Sequence, residues 1–197
     1  MERGKRKWGT AGAIAILLCT LFPYEHRAQA KSSTAPSVVQ AQIITRILPY
    51  DRAFEQKVKR EVIIVLVQRP DDPESASAVQ QMQNALKDVG EVRGRALKVR
   101  VLSYSTPSAL AASLRGEGAH VVYIAPGLLR EVPLIAQALA GSGVLSFAAN
   151  EPCVPEGIVL GVEIADGKPR MSINLRQART QKIEFPAAIL KLAKVYQ

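Results

Sequence analysis

The stretch EVIIVLVQRPDDPESASAVQQMQNALKDVG, residues 61–90, decides the fold. Within Glu61–Val67 the run VIIVLV is continuous, apolar and mostly β-branched. That is the pattern of a strand covered on both faces. Pro70 to Pro73 then makes a turn. Ala78, Val79, Met82, Ala85, Leu86 and Val89 fall on one helical stripe, and Gly90 stops the helix. Strand, turn and amphipathic helix make one βα unit.

The unit recurs toward the C-terminus. Leu97–Leu102 reads as a strand. Thr106 caps a helix that has Pro107 in its first turn and runs through Leu114. Ala119–Ile124 is a third strand, Leu128–Leu139 a helix ended near Gly141, and Gly143–Phe147 a fourth strand. Such alternation with short connections predicts a parallel sheet with helices on both faces. The ending differs. Ile158–Ala165 and Arg170–Leu175 flank Asp166-Gly167, a strong hairpin signal. Pro169 points to an edge position or a strand start. Asn174, with Gln177 three residues on, caps a short helix to Thr180. Phe185–Tyr196 reads as a last helix on Ile189, Leu190, Ala193 and Val195. Toward the N-terminus, Val39, Ile43 and Ile47 recur every four residues, so Val38–Leu48 is a short amphipathic helix that Pro49 ends. The expected fold class is therefore α/β: a single three-layer domain with a mainly parallel sheet, plus a C-terminal β-hairpin and helix.

The first thirty residues read as an address. Met1–Trp8 carries four basic side chains, Gly9–Phe22 is free of charge, and Ala28-Gln29-Ala30 offers a cleavage site. The apolar run falls short of the roughly 20 residues that span a bilayer, which disfavours an uncleaved anchor. The expected organisation is a signal peptide over 1–30, a flexible Ser/Thr/Pro-rich leader over 31–37 and one domain over 38–197. The whole chain has 26 Lys+Arg against 17 Asp+Glu, a net charge of +9. Cleavage after Ala30 leaves 167 residues at +6, suited to an acidic partner or a membrane surface.

Chemistry is sparse in what remains. No Arg/Lys cluster is interleaved with aromatics, so no nucleic acid is expected as a partner. Cys153 and His120 are the mature chain's one Cys and one His, too few for a metal site. Nothing in the spacing places them together as a nucleophile and its base. The residues after the first strand, Gln68-Arg69-Pro70-Asp71-Asp72, lack the glycines of a phosphate loop. No catalytic residue, metal or cofactor is expected.

Two groups of residues stand out as candidates for partner or ligand binding. Ligands of open α/β sheets gather outside the carboxyl ends of the strands. The loops there carry Ser103, Ser105, Asn150 and Glu151, which suit a small polar ligand or equally their own loop backbone. Tyr50, Asp51 and Arg52 follow the first helix, as an exposed recognition patch or as a turn capped by Asp. Asn174 and Gly167 are expected to be structural.

The runs GVLSFAANEP (143–152), IVLGVEIADGKPRMSINL (158–175) and INLRQARTQKIEFPAAILKLAKV (173–195) resemble the YfiR family. Ile173-Asn174-Leu175 and Ala178 match its I-N-L-x-x-A stretch. Ile189, Leu190, Leu192 and Ala193 match its final Leu-rich helix, and VVYIAPGL (121–128) sits where the family has a strand leading into a helix. The resemblance covers about residues 40–197. It implies a periplasmic α/β domain that restrains a membrane-bound diguanylate cyclase by contacting that enzyme's periplasmic part. Release would raise cyclic-di-GMP and favour biofilm. A sensor kinase is the other membrane enzyme such a regulator would suit.

Two functions are carried forward. One is a non-enzymatic exported regulator of a membrane signalling enzyme. The alternative is a periplasmic small-solute-binding module, since the βα alternation is that of one lobe of a two-lobed binding protein. A homodimer would supply the missing second wall.

Overall fold

The computed structural model describes Met1 and residues 33–197. The export signal expected over 1–30 otherwise lies outside the described residues. The described strands form one mixed, mostly parallel sheet. They are β1 (Ser33–Thr34), β2 (Glu61–Gln68), β3 (Glu91–Val92), β4 (Arg95–Ser103), β5 (Val121–Ile124), β6 (Leu145–Ala148), β7 (Leu160–Ala165), β8 (Lys168–Asn174) and β9 (Ala193–Tyr196). Their order is β3-β4-β2-β5-β6-β7-β8-β9, with β1 also on β7. The strands β4, β2, β5, β6 and β7 run parallel.

The helices are α1 (Ser37–Ile47), α2 (Phe54–Lys57), α3 (Pro73–Val89), α4 (Pro107–Glu117), α5 (Val132–Ala138), α6 (Leu175–Thr180) and α7 (Ala187–Leu190). Alternation along β2 divides the interior in two. Val62, Ile64 and Leu66 point into one core with Ile44 of α1 and Val79, Met82 and Leu86 of α3. Val65 and Val67 point into the other, with Leu110 and Leu114 of α4 and Val132 and Ile135 of α5. Each such side chain contributes about 1.5–3 kcal/mol by leaving water, so β2 is the spine of the domain.

Local chemistry sets the ends of these elements. Asp72 caps α3: its Oδ1 accepts from the amides of Glu74 and Ser75, with Pro73 in the first turn and Gly90 at φ 72° past the end. Thr106 caps α4 through the Ala109 amide. Asp166 and Gly167 both have positive φ, the conformation of a tight turn joining two twisted strands. Asn174 Oδ1 accepts from Gln177 N at 2.8 Å and starts α6.

Four details differ from the sequence reading. The helix expected over Phe185–Tyr196 is one turn, α7, followed by the strand β9. Apolar spacing favoured a helix there, but Met171–Asn174 of β8 offer open backbone groups that a parallel strand satisfies. Arg93-Gly94 makes a second tight turn and adds β3 to β4. In α1 the buried residues are Gln40, Ala41, Ile44, Thr45 and Ile47, so the helix is rotated from the Val39–Ile43 stripe. Within the leader expected over 31–37, Ser33 and Thr34 pair with Ile164 and Glu163 of β7, and Ala35 is buried.

Candidate functional site

The residues singled out from the sequence divide between the two ends of the sheet. At the carboxyl end, β6 pairs with Leu160 and Gly161 of β7, and β1 takes over at Glu163 and Ile164. The N-terminal segment therefore lies beside the loop that leaves β6. Thr34 Oγ1 donates to Asn150 Oδ1 at 3.1 Å. Two hollows open there, of about 400 Å³ and about 300 Å³. Thr34, Glu74 and Asn150 line both. Gln40 of α1 and Tyr123 of β5 line the larger, and Glu151 and Glu163 line the smaller.

Glu151 ties this end to the C-terminus. Its Oε1 accepts from Tyr196 Oη, from Lys194 Nζ at 3.1 Å and from Ser172 Oγ at 3.4 Å. Burial works to raise its pKa, but the hydrogen bonds from Tyr196, Lys194 and Ser172 outweigh it and hold the carboxyl below its ordinary range. Lys194 is held above its ordinary value by the hydrogen bonds to Tyr196 and Glu151. The strands β1 and β9 thus meet on Asn150-Glu151, one on each residue.

The neighbouring strand ends are closed. The order of strand addition switches sides between β2 and β5, the place where open α/β sheets bind ligands. Here Arg69 Nη1 donates to Gly127 O at 2.5 Å and pairs with Glu131 at 3.2 Å. A Cβ on Gly127 would lie 2.3 Å from Asp72 Oδ2. The crevice is stitched shut by protein. Ser103 accepts from Gln68 Nε2 at 3.4 Å, and Ser105 is exposed beyond it. These serines belong to the β4 side of the stitched loops, and neither lines the two hollows.

Tyr50, Asp51 and Arg52 lie at the opposite, amino end of the sheet. Asp51 is 3% exposed. Its Oδ1 accepts from the amides of Ala53 and Glu184, and its Oδ2 from Lys57 Nζ at 2.7 Å. Arg52 N donates to Glu184 O, and its guanidinium lies 3.7 Å from the Glu184 carboxylate in solvent. Tyr50 is 47% exposed and lines a third hollow, of about 520 Å³, with Arg46, Glu91 and Arg93. The inward Asp fixes a corner on which a Tyr and an Arg face outward.

The two remaining reactive side chains are both engaged in the fold. Cys153 is buried, and burial, helped by Glu156, pushes its thiol up to about 11. Near neutrality it is a buried, protonated thiol. His120 Nδ1 accepts from Ile63 N at 3.1 Å, and its Nε2 lies 3.3 Å from Lys57 O. The first bond needs the neutral ring with its proton on Nε2, which then donates to Lys57 O. Burial, above all, holds its pKa below 6.5. Below about pH 6.5 the unfolded chain takes a proton that the folded chain refuses. The stabilising contribution of His120 is whole above that pH and is lost as the pH falls toward the folded-state value. Unfolding midpoints of the protein and of His120→Gln should therefore converge between pH 7.5 and 5.5; parallel curves would show that the ring does not titrate on unfolding.

Sequence reasoning found Asn150 and Glu151 but not Thr34, Gln40, Glu74, Tyr123 or Glu163. Gln40 had a signal, because it shares a helical face with Ile44 and Ile47 and is a polar residue in an apolar stripe. Glu163 had none, since strand alternation alone accounts for it. Among the described residues no group of three His, Cys, Asp or Glu side chains is placed to hold a metal. No described helix is long and apolar enough to cross a membrane.

A family profile described as YfiR/HmsC-like matches residues 37–194. No curated protein matches the chain significantly. Among solved structures, the ABC domain in complex with L-Trp from Streptococcus pneumonia aligns at TM-score 0.60 and 13% identity, over 82% of this chain and 62% of that one. A conserved domain protein from Vibrio cholerae O1 biovar eltor aligns at 0.57 and 15%, over 83% and 60%. The ligand-free, open form of a substrate-binding protein with adhesive properties from Clostridium difficile aligns at 0.56 and 13%, over 79% and 58%. The chain spans about three fifths of the length of each. At such identities the likeness is one of fold.

Proposed function

The chain belongs to the YfiR/HmsC-like family, and from that membership we propose that it is a non-enzymatic exported regulator that binds the periplasmic part of a membrane signalling enzyme and restrains it. The enzyme is a diguanylate cyclase or a sensor kinase. The observation that carries this reading is the extent of the match, residues 37–194, which takes in the sheet from β2 through β8 and the helices on both its faces. The family is a regulatory one. Restraint then needs no chemistry from this chain. Binding the inactive conformation of the enzyme better than the active one shifts the population toward it, by as much as the two affinities differ.

The corner at Tyr50–Arg52 is the face we assign to the partner. Tyr and Arg are the side chains that most often dominate an interface, and here both are exposed on backbone held by Asp51. Arg46 and Arg93 border the same hollow, and the charge of +6 expected for the exported domain favours an acidic partner surface. The test is light crosslinking in intact cells, followed by recovery of the tagged protein and identification of what comes with it. A membrane diguanylate cyclase or sensor kinase is expected, and Arg52→Glu together with Tyr50→Ala should reduce its yield about tenfold with folding unchanged. Export and folding without any membrane protein captured would sink the reading, and equal capture by the double variant would sink the assignment of the face.

A further inference from the structure

The strand β4 has nine residues, and β3 covers only its start. Glu91 and Val92 pair with Ala96 and Arg95, and Leu97 N donates to Gly90 O. From Lys98 to Ser103, β4 is paired among the described strands on one side alone, with β2. The two ends of this run show which groups are free. Leu97 N faces outward to Gly90, and Tyr104 N faces inward to Gln68 O. The register with β2 is unbroken up to Ser103, so the amides and carbonyls of Val99, Val101 and Ser103 face outward. Val99 O receives Arg100 Nη1, from 3.4 Å, a weak bond that a better donor displaces.

An open edge is a template for another strand, and proteins ordinarily guard one with Lys, Pro or a covering segment. Here the guards are drawn off the edge. Lys98 pairs with Glu61 of β2 at 3.1 Å, and Arg100 with Glu117 of α4 at 3.3 Å. Val101, in the middle of the open run, is 40% exposed. With its charges neutralised inside the chain, this edge neither selects an acidic strand nor repels a second copy of itself.

The spacing of the side chains selects the second copy. An antiparallel pair about a two-fold axis at Val101 sets Val101 against Val101, Val99 against Ser103, Arg100 against Leu102 and Lys98 against Tyr104. No like charges stand opposite, and every outward amide and carbonyl of Val99, Val101 and Ser103 gains a partner. An axis at Arg100 opposes two guanidiniums, and an axis at Val99 drives the copy's strand into β3 at Arg95. We propose that the chain forms a two-fold homodimer through the open edge of β4, centred on Val101, which joins the two sheets into one. The carboxyl ends of the two sheets then point in opposite directions, so this dimer does not close the hollows there. The proposal stands apart from the partner reading, since it uses the backbone of β4 and needs no second protein.

The test is sedimentation equilibrium of the purified chain, with variants at the axis. The unaltered protein should sediment at twice the mass of one chain. Val101→Pro removes an outward amide and no bond to β2, so the monomer should fold while association weakens at least about tenfold. Val101→Lys, which opposes two ammonium groups at the axis, should do the same and decides alone if the proline variant fails to fold. Val101→Cys should oxidise to a dimer linked through position 101 by peptide mapping, because facing Cα atoms about 5.5 Å apart suit a disulfide. A monomer at every concentration, a dimer that the folded variants leave intact, or no link through position 101 would each overturn the proposal.

Discussion

Asp51→Ala should lower the free energy of unfolding by about 3 kcal/mol, the scale for removing one partner of a buried charged pair. Asp51 is almost wholly buried and accepts from two backbone amides and from Lys57. Alanine would leave the Lys57 ammonium, 26% exposed, without its anion, and the Ala53 and Glu184 amides without an acceptor. Asn at this position retains one acceptor and should cost less. Lys57 also donates to Lys182 O, and its own carbonyl receives His120, so the loss should spread to the segment 182–185. Arg52→Ala, one residue on, should stay within about 0.5 kcal/mol because its ion pair lies in water. Urea denaturation of the three variants measures this. A loss under about 1 kcal/mol for Asp51→Ala would mean that water replaces the carboxylate and that the corner is not held as described.

That corner shows why its role was only half legible. Tyr50-Asp51-Arg52 is compatible with a surface patch and with a capped turn, and sequence offers no means to choose. The choice depends on Glu184, 133 positions away, whose amide needs an acceptor where Asp51 sits. Once that bond is known, the two readings join: the Asp is the brace and its neighbours face outward. The parallel sheet was legible for the opposite reason. VIIVLV needs cover on both faces whatever lies far away, and Asp72-Pro73 and Gly90 set the ends of α3 by local chemistry alone.

The carboxyl-end site was legible only where position in the fold predicts function. Asn150 and Glu151 follow a parallel strand, so topology pointed to them. Thr34 and Glu163 meet through an antiparallel pair spanning the whole domain, which no local pattern encodes. The segment 193–196 was misread for a related reason. Its residues suit a helix, and the deciding term was the open edge of β8, a property of another element. Lys194 and Tyr196 reach Glu151 only because the segment is a strand.

Gly161→Val should cost about 3 kcal/mol and disturb this site without touching any of its polar groups. A Cβ at Gly161 would lie 2.5 Å from Val154 Cγ2 and 3.5 Å from Glu151 Cα. Val154 is fully buried, so it has no solvent to move into. The strand cannot retreat either, because Gly161 is paired with Ala148 of β6 and Ser172 of β8. The loop 151–154 must therefore lift, and Glu151 rides on it. Displacing Glu151 separates it from Lys194 and Tyr196, which should free β9 from the edge of β8. Amide hydrogen exchange resolves the two effects: protection in β9 should fall by more than the global loss accounts for, while β2 changes only by the global amount. Gly116→Ala is the control, because a Cβ there meets nothing within 4 Å and a helical Gly gains about 0.5–1 kcal/mol on becoming Ala. Uniform loss of protection across β2 and β9 would show that the loop and the C-terminal strand are not coupled through Glu151. Selective loss would show that a glycine inside the sheet, on β7, sets the position of a carboxylate in the loop that follows β6.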